Sequence, residues 1–240
     1  MPTTRSRLWC LPFAVACWQK QTYQNRRLLI TIDGYGASLT GGWLPDFNDE
    51  RIQYHSITAK LATLGEKYNA MHAEAIDGLT RADFIAMAPD DDWQAPDYLE
   101  RRMRALLASD RDRIGCRDML FYDAATARLR LFQPAPDWKP WWVCHGSLII
   151  HRSVWQRASG GYPHKIGSGT DAAFQNKIAD TMPALFDDWR GYVAVQHGTN
   201  TYRDMGGYSS PVWKDQPLLD EIMGADLPAW QAAWANRPGA

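Results

Sequence analysis

The chain has 240 residues, enough for one large domain with a substantial core. Its 26 basic and 27 acidic side chains leave a formal charge of -1, which argues against a general nucleic-acid or anionic-membrane binder. The four cysteines, Cys10, Cys17, Cys116 and Cys144, form no CxxC pair, so their spacing points to neither zinc nor a disulfide framework and reads as reduced thiols in a cytoplasmic protein.

At the N-terminus Arg5 and Arg7 precede an apolar run over 8–18, and Ala14-Val15-Ala16-Cys17 resembles a lipoprotein cleavage site. Pro12 and two tryptophans interrupt the run, and it leads directly into a strand-like stretch, so a folded segment is favoured over a targeting signal. No run approaches the ~20 apolar residues of a membrane span. Helical spacing, with Pro12 in the first turn, predicts a helix over 11–23. "RLLITID" (27–33) reads as a buried strand that opens into the glycine-rich loop "GYGASLTGG". That loop completes neither a dinucleotide fingerprint nor a phosphate-binding P-loop.

A second strand is expected over 53–57, a helix over 63–77, a third strand over 83–88 and a charged helix over 96–109. "DMLFYD" and "RLRLF", separated by "AATA", predict a hairpin, and "PAPDWKPWW" (134–142) a rigid aromatic loop. Residues 143–155 turn from strand to helix, and Asp171 starts or lies just inside another helix. A last strand over 191–201 precedes a helix near 216–223 and a polar, tryptophan-containing tail. Strands alternate with helices in the first half, so an α/β fold with a parallel sheet is expected there. Ligands of such sheets bind beyond the carboxyl ends of the strands, where Asp33 and Asp90, Asp91 and Asp92 fall.

Three adjacent carboxylates repel one another and call for a positive partner. Hard oxygen ligands suit Mg²⁺ or Mn²⁺, which also hold substrate phosphates. A solvated acidic turn that caps the following helix is the alternative.

The chain resembles the glycosyltransferase family 2-like enzymes of GT-A fold. The resemblance rests on seven segments in the same order, "MPTTRSR", "FAVACWQKQTYQNRRLLITIDG", "LGEKYNAMHAEA", "FIAMAPDDDW", "WVCHGSLIIHRSVW", "GTDAAF" and "VAVQHGTNT", and runs to about Asp204. It departs at Ile32, Tyr68, Pro89 and Thr170, where the family usually has aspartate, arginine, aspartate and glutamate. Family members also have a core strand just before Pro-Thr, whereas this sequence begins at Met1. Either that strand is missing or the start lies further upstream.

The resemblance implies a Rossmann-like three-layer sandwich with a mixed central sheet. A catalytic unit over 1–205 would have a nucleotide-sugar half (1–93) and an acceptor half (94–205), followed by a tail over 206–240. It implies an inverting transfer of a sugar from a nucleotide diphosphate, UDP above all, to an unidentified acceptor, whether glycan, lipid-linked or other. Pro2, Thr3 and Asp33 would line the nucleotide pocket, with Lys67 and Asn69 nearer the diphosphate. Asp90 or Asp91 would contact ribose or ion, and Asp92, Asp90 and His197 would hold Mn²⁺ or Mg²⁺. Asp171 would be the general base, and Trp142 and His145 would face the acceptor, although packing is the better reading for the tryptophan. A sugar nucleotidyltransferase of related fold and a non-catalytic nucleotide-binding module are the other readings.

Overall fold

The computed structural model describes residues 1–34, 44–78, 81–135, 139–164, 169–197, 200 and 212–236, the last segment without the side chains of Val212 and Trp213. Twelve strands and seven α-helices occur among them, in the order β1 (Pro2–Thr3), α1 (Leu11–Gln19), β2 (Leu28–Asp33), β3 (Ile52–Ile57), α2 (Leu64–Asp77), β4 (Phe84–Ala86), β5 (Trp93–Gln94) and α3 (Tyr98–Leu107). There follow β6 (Arg113–Gly115), β7 (Met119–Asp123), β8 (Arg128–Phe132), β9 (Ile149–His151), α4 (Arg152–Arg157), α5 (Thr170–Lys177), β10 (Ala184–Leu185), β11 (Tyr192–Gln196), β12 (Val212–Lys214), α6 (Pro217–Met223) and α7 (Leu227–Ala235).

Hydrogen bonding divides the mixed α/β sheet into three parts, ordered β1-β2-β3, β10-β6-β9-β4 and β12-β8-β7-β11-β5. The first is wholly parallel, as expected for the first half of the chain, but β4, the third strand predicted there, runs antiparallel to β9, and β5 runs antiparallel to β11. Every residue of β2 is buried, which explains its unbroken apolar and β-branched run. The first strand is only two residues long. Pro2 and Thr3 pair with Thr31 and Ile32, and the Met1 nitrogen lies 2.8 Å from Leu29 O. The predicted hairpin is β7–β8, with Asp123 accepting from Ala125 N at 2.9 Å and from the Thr126 hydroxyl at 2.8 Å to shape its turn.

Local chemistry sets the helix starts. Thr63 and Glu66 form a reciprocal capping box at the head of α2. At α5 the cap is Gly169, whose φ of 88° favours glycine, so Asp171 lies inside the first turn and is not the cap. The α2 helix packs close to the segment before α5, since a Cβ on Gly65 would stand 2.2 Å from Pro163 O.

The N-terminal apolar run is part of the core. Leu11, Ala14, Val15, Cys17 and Trp18 join Leu28, Ile30, Tyr122 and Val193 in one cluster. The same cluster takes in Leu219, Leu227, Trp230 and Trp234, so residues expected to form a polar tail add a buried helix, α7, while β12 pairs with β8. A second cluster, with Met71, Leu148, Val154, Tyr162 and Phe174, binds α2, β9, α4 and α5 together.

Candidate functional site

The aspartate triplet lies in the short connection between β4 and β5. Just after it, Trp93 and Gln94 pair with Val193 and Tyr192, which ties the triplet to β11. The turn at His145–Ser147 presses on the same spot: a Cβ on Gly146 would come 2.2 Å from the Tyr192 hydroxyl, so only glycine fits there.

Each carboxylate has a distinct environment. The Asp92 Oδ1 accepts from Val195 N at 2.9 Å, and its Oδ2 accepts from the Tyr192 hydroxyl. Burial, reinforced by Asp91, pushes the Asp92 carboxyl well above the usual carboxylate range. In Asp91, Oδ2 accepts from Asn200 Nδ2 and pairs with His197 Nε2, each at 3.0 Å, and also contacts Arg7. Burial would raise Asp91 too, but Arg7 and His197 outweigh it and bring it below its ordinary value. Asp90 pairs with Arg7 through Oδ1 at 2.7 Å, and burial lifts it to about 6 against the pull of that guanidinium.

The triplet floors a cavity of about 390 Å³ whose walls include Pro2, Thr3, Arg7, Lys67, Tyr68 and Asn200. That volume lies within the ~300–1,000 Å³ range of small-molecule sites. Lys67 Nζ stands 2.8 Å from Asp33 Oδ1, while Asp33 Oδ2 accepts from Leu61 N at 3.0 Å. Two residues expected to touch a nucleotide separately are thus an ion pair.

Other expected residues sit elsewhere. Asn69 is absent from the cavity wall and serves as a tie instead, bonding Tyr162 O at 2.9 Å and Tyr162 N at 2.7 Å. Trp142 packs in a cluster with Phe132, their ring centroids 5.9 Å apart, which is the packing role. The loops expected over 34–50 and 134–142 lie partly outside the described residues.

The three expected metal ligands do not form a ready cation site. Both oxygens of Asp92 are taken, His197 is spent on Asp91, and among the described residues no three His, Cys, Asp or Glu side chains are grouped to hold an ion.

Asp171 belongs to a neighbouring aromatic box. Its charge bears on the half-buried Tyr68 and His145 and on the fully buried Tyr162, while His145 Nε2 lies 3.4 Å from the Tyr162 hydroxyl. Tyr68 lines the cavity and its ring also meets His145 edge-on at 5.1 Å, which links the carboxylate triplet to Asp171. Tyr162 stacks on Phe174 of α5 at 4.0 Å and so anchors the helix that bears Asp171.

His72 supports this box from below and yields a pH prediction. It is fully buried, stacks on Trp155 at 4.6 Å, and has Nδ1 2.7 Å from Tyr68 O. Burial lowers its pKa from 6.5 to about 3. The unfolded chain therefore takes up a proton as pH falls below 6.5 while the folded chain does not, and stability is lost on acidification. The loss is about 1.4 kcal/mol per pH unit, or ~2 kcal/mol between pH 7 and 5. Asp90, raised in the fold, acts in the opposite sense below pH 6. Urea midpoints for wild type and His72→Gln at both pH values cancel that term, and the difference between the two proteins should shrink at pH 5. A pH-independent difference would show that His72 does not carry the effect.

The sequence reasoning missed Arg7, Asn200 and Tyr192 as members of the site. Arg7 stood in plain view among basic residues before an apolar run, a pattern that resembles a targeting segment. Nothing in the spacing of Tyr192, 100 residues from Asp92, marks it as a partner.

No family model matches the chain, and no curated protein matches it by sequence. Solved structures do. TarS 1-349 of S. aureus in complex with UDP-GlcNAc superimposes with a TM-score of 0.61 at 13% identity, over 98% of this chain and 70% of that one. The mannosyltransferase PcManGT from Pyrobaculum calidifontis, in complex with GDP-Man and Mn²⁺, gives 0.54 at 13% identity, over 98% of this chain and 71% of that one. A further TarS 1-349 structure gives 0.58 at 11% identity, and this chain spans 58% of its length and 36% of a longer TarS structure. The fold is therefore that of the GT-A-like glycosyltransferases, as the sequence resemblance implied.

Proposed function

We propose that this chain transfers a sugar from a nucleotide diphosphate donor, UDP-linked above all, to a hydroxyl acceptor, with inversion at the anomeric carbon. The observation that carries the reading is the cavity at the strand ends, where Arg7 and Lys67 face inward above buried carboxylates. The neighbours' complexes with UDP-GlcNAc and GDP-Man support the donor class. In this reading the nucleotide-sugar half spans 1–93 and the acceptor half 94–205. Pro2 and Thr3 shape the nucleotide end, and Arg7 and Lys67 receive the diphosphate.

The acceptor oxygen attacks the anomeric carbon from the side opposite the diphosphate. Asp171 takes the acceptor's proton as the new carbon–oxygen bond forms and the bond to the departing diphosphate breaks. The cations stabilise the charge that develops on the leaving group. Tyr68, half-buried on the cavity wall and backed by the buried Tyr162, offers an aromatic ring of the kind suited to stacking on a sugar acceptor, with the half-buried His145 beside it.

Thermal unfolding with UDP, GDP and dTDP, followed by an assay of the matching sugar donors, tests this. A nucleotide at ~100 times its dissociation constant should add about 2.7 kcal/mol of stability. Release of the nucleoside diphosphate from its sugar supports the transferase. Release of pyrophosphate from a nucleotide triphosphate would favour a nucleotidyltransferase. Tight binding with no turnover would favour a non-catalytic module.

A further inference from the structure

Two of the three carboxylates are nearly dry, and Asp92 is half-buried. Asp90 is 3% exposed and Asp91 6%, so their charge needs a partner within the protein. Arg7 is that partner. Its Nη2 bridges Asp90 Oδ1, at 2.7 Å, and Asp91 Oδ2, and those two carboxylates outweigh burial in keeping the guanidinium charged. The carboxylate oxygens that a divalent ion would need are largely committed. Asp92 is taken by Tyr192 and Val195, and Asp91 Oδ2 serves Arg7, His197 and Asn200. Two oxygens remain, Asp91 Oδ1 and Asp90 Oδ2, and the latter is buried without a well-formed hydrogen bond, as is Thr3 Oγ1 on the same cavity wall. Mg²⁺ requires octahedral oxygen ligation, and an ion would have to enter where the guanidinium already bridges the two acids.

A guanidinium suits a diphosphate in its own right. It carries five N–H donors in a planar fork that matches phosphate oxygens, and one nitrogen suffices for both carboxylates. Lys67, held by Asp33 at 2.8 Å, supplies a second anchored cation on the cavity wall. Cations fixed by carboxylates lose little side-chain freedom when a ligand arrives.

We propose that Arg7 takes the place of the divalent ion, so that this chain holds the diphosphate of a nucleoside diphosphate without added metal. This rests on the donor reading above. The test is calorimetric titration of wild-type protein with UDP, and with GDP and dTDP in turn, in excess EDTA and in excess Mn²⁺. Arg7→Met is titrated beside it in EDTA. The expected result is the same affinity in EDTA and Mn²⁺, and a loss of roughly 10- to 100-fold in the variant, the worth of one or two charge-assisted hydrogen bonds. Binding seen only with Mn²⁺ overturns the proposal and leaves the nucleotide-sugar reading standing. Absence of binding under both conditions overturns both. Should Arg7→Met fail to fold, the EDTA and Mn²⁺ titrations of the wild type decide the matter by themselves.

Discussion

Asp171→Asn is expected to slow sugar transfer by roughly 10²- to 10⁴-fold, the range that a positioned general base supplies, while nucleotide binding is unchanged. The substitution keeps the size and polarity of the side chain and removes only its capacity to accept a proton. It should leave α5 intact, because the cap of that helix is Gly169 and not Asp171. Its neighbours make the position suited to the role. Tyr68, on the wall of the donor cavity, lies within reach of its charge, and Tyr162 holds its helix through Phe174. Initial rates of nucleotide release from the sugar donor, with water or a sugar hydroxyl as acceptor, give the readout. A variant that keeps its rate within a few-fold removes Asp171 from the mechanism.

Trp234→Ala is expected to cost about 3–5 kcal/mol of stability, as for other large aromatic residues deleted from a core. Trp234 is 2% exposed, lies 4.8 Å from the Tyr122 ring on β7 and 5.7 Å from Trp230. The α7 helix therefore closes the same core that α1 and β2 build. Urea unfolding of the full chain measures the effect. A change of less than ~0.5 kcal/mol, typical of surface positions, would mean that this segment is a dispensable tail.

Both experiments bear on residues of unequal legibility. The elements of the first half could be read in order because each carries a local signal. The run Leu28–Asp33 is unbroken and β-branched, as a doubly buried strand must be. The α2 helix has a helical period and, at Thr63 and Glu66, its own start signal. The β7–β8 hairpin announces itself through two alternating runs and the aspartate that shapes its turn. The C-terminal helix α7 reads as a tail, although Leu227, Trp230 and Trp234 recur at helical spacing with a proline in the first turn. The stretch is short and rich in alanine, most of its positions are exposed, and the burial of Trp230 and Trp234 depends on partners more than 100 residues earlier in the chain.

The sequence by itself determined that acidic groups gather at a strand end, that Asp171 opens a helix and that the fold is α/β, because charge, period and turn chemistry are local properties. It also showed that three adjacent carboxylates need a positive partner. Only the tertiary structure decided what that partner is. Arg7 reaches Asp90 and Asp91 because β1 and β2 run parallel and deliver the N-terminal loop to the end of the sheet where the triplet lies. The same packing sets Tyr192 and Val195 against Asp92 and joins Lys67 to Asp33. Pairings across such distances follow from which strands become neighbours, and the choice is made by the burial of the whole core and not by any one segment.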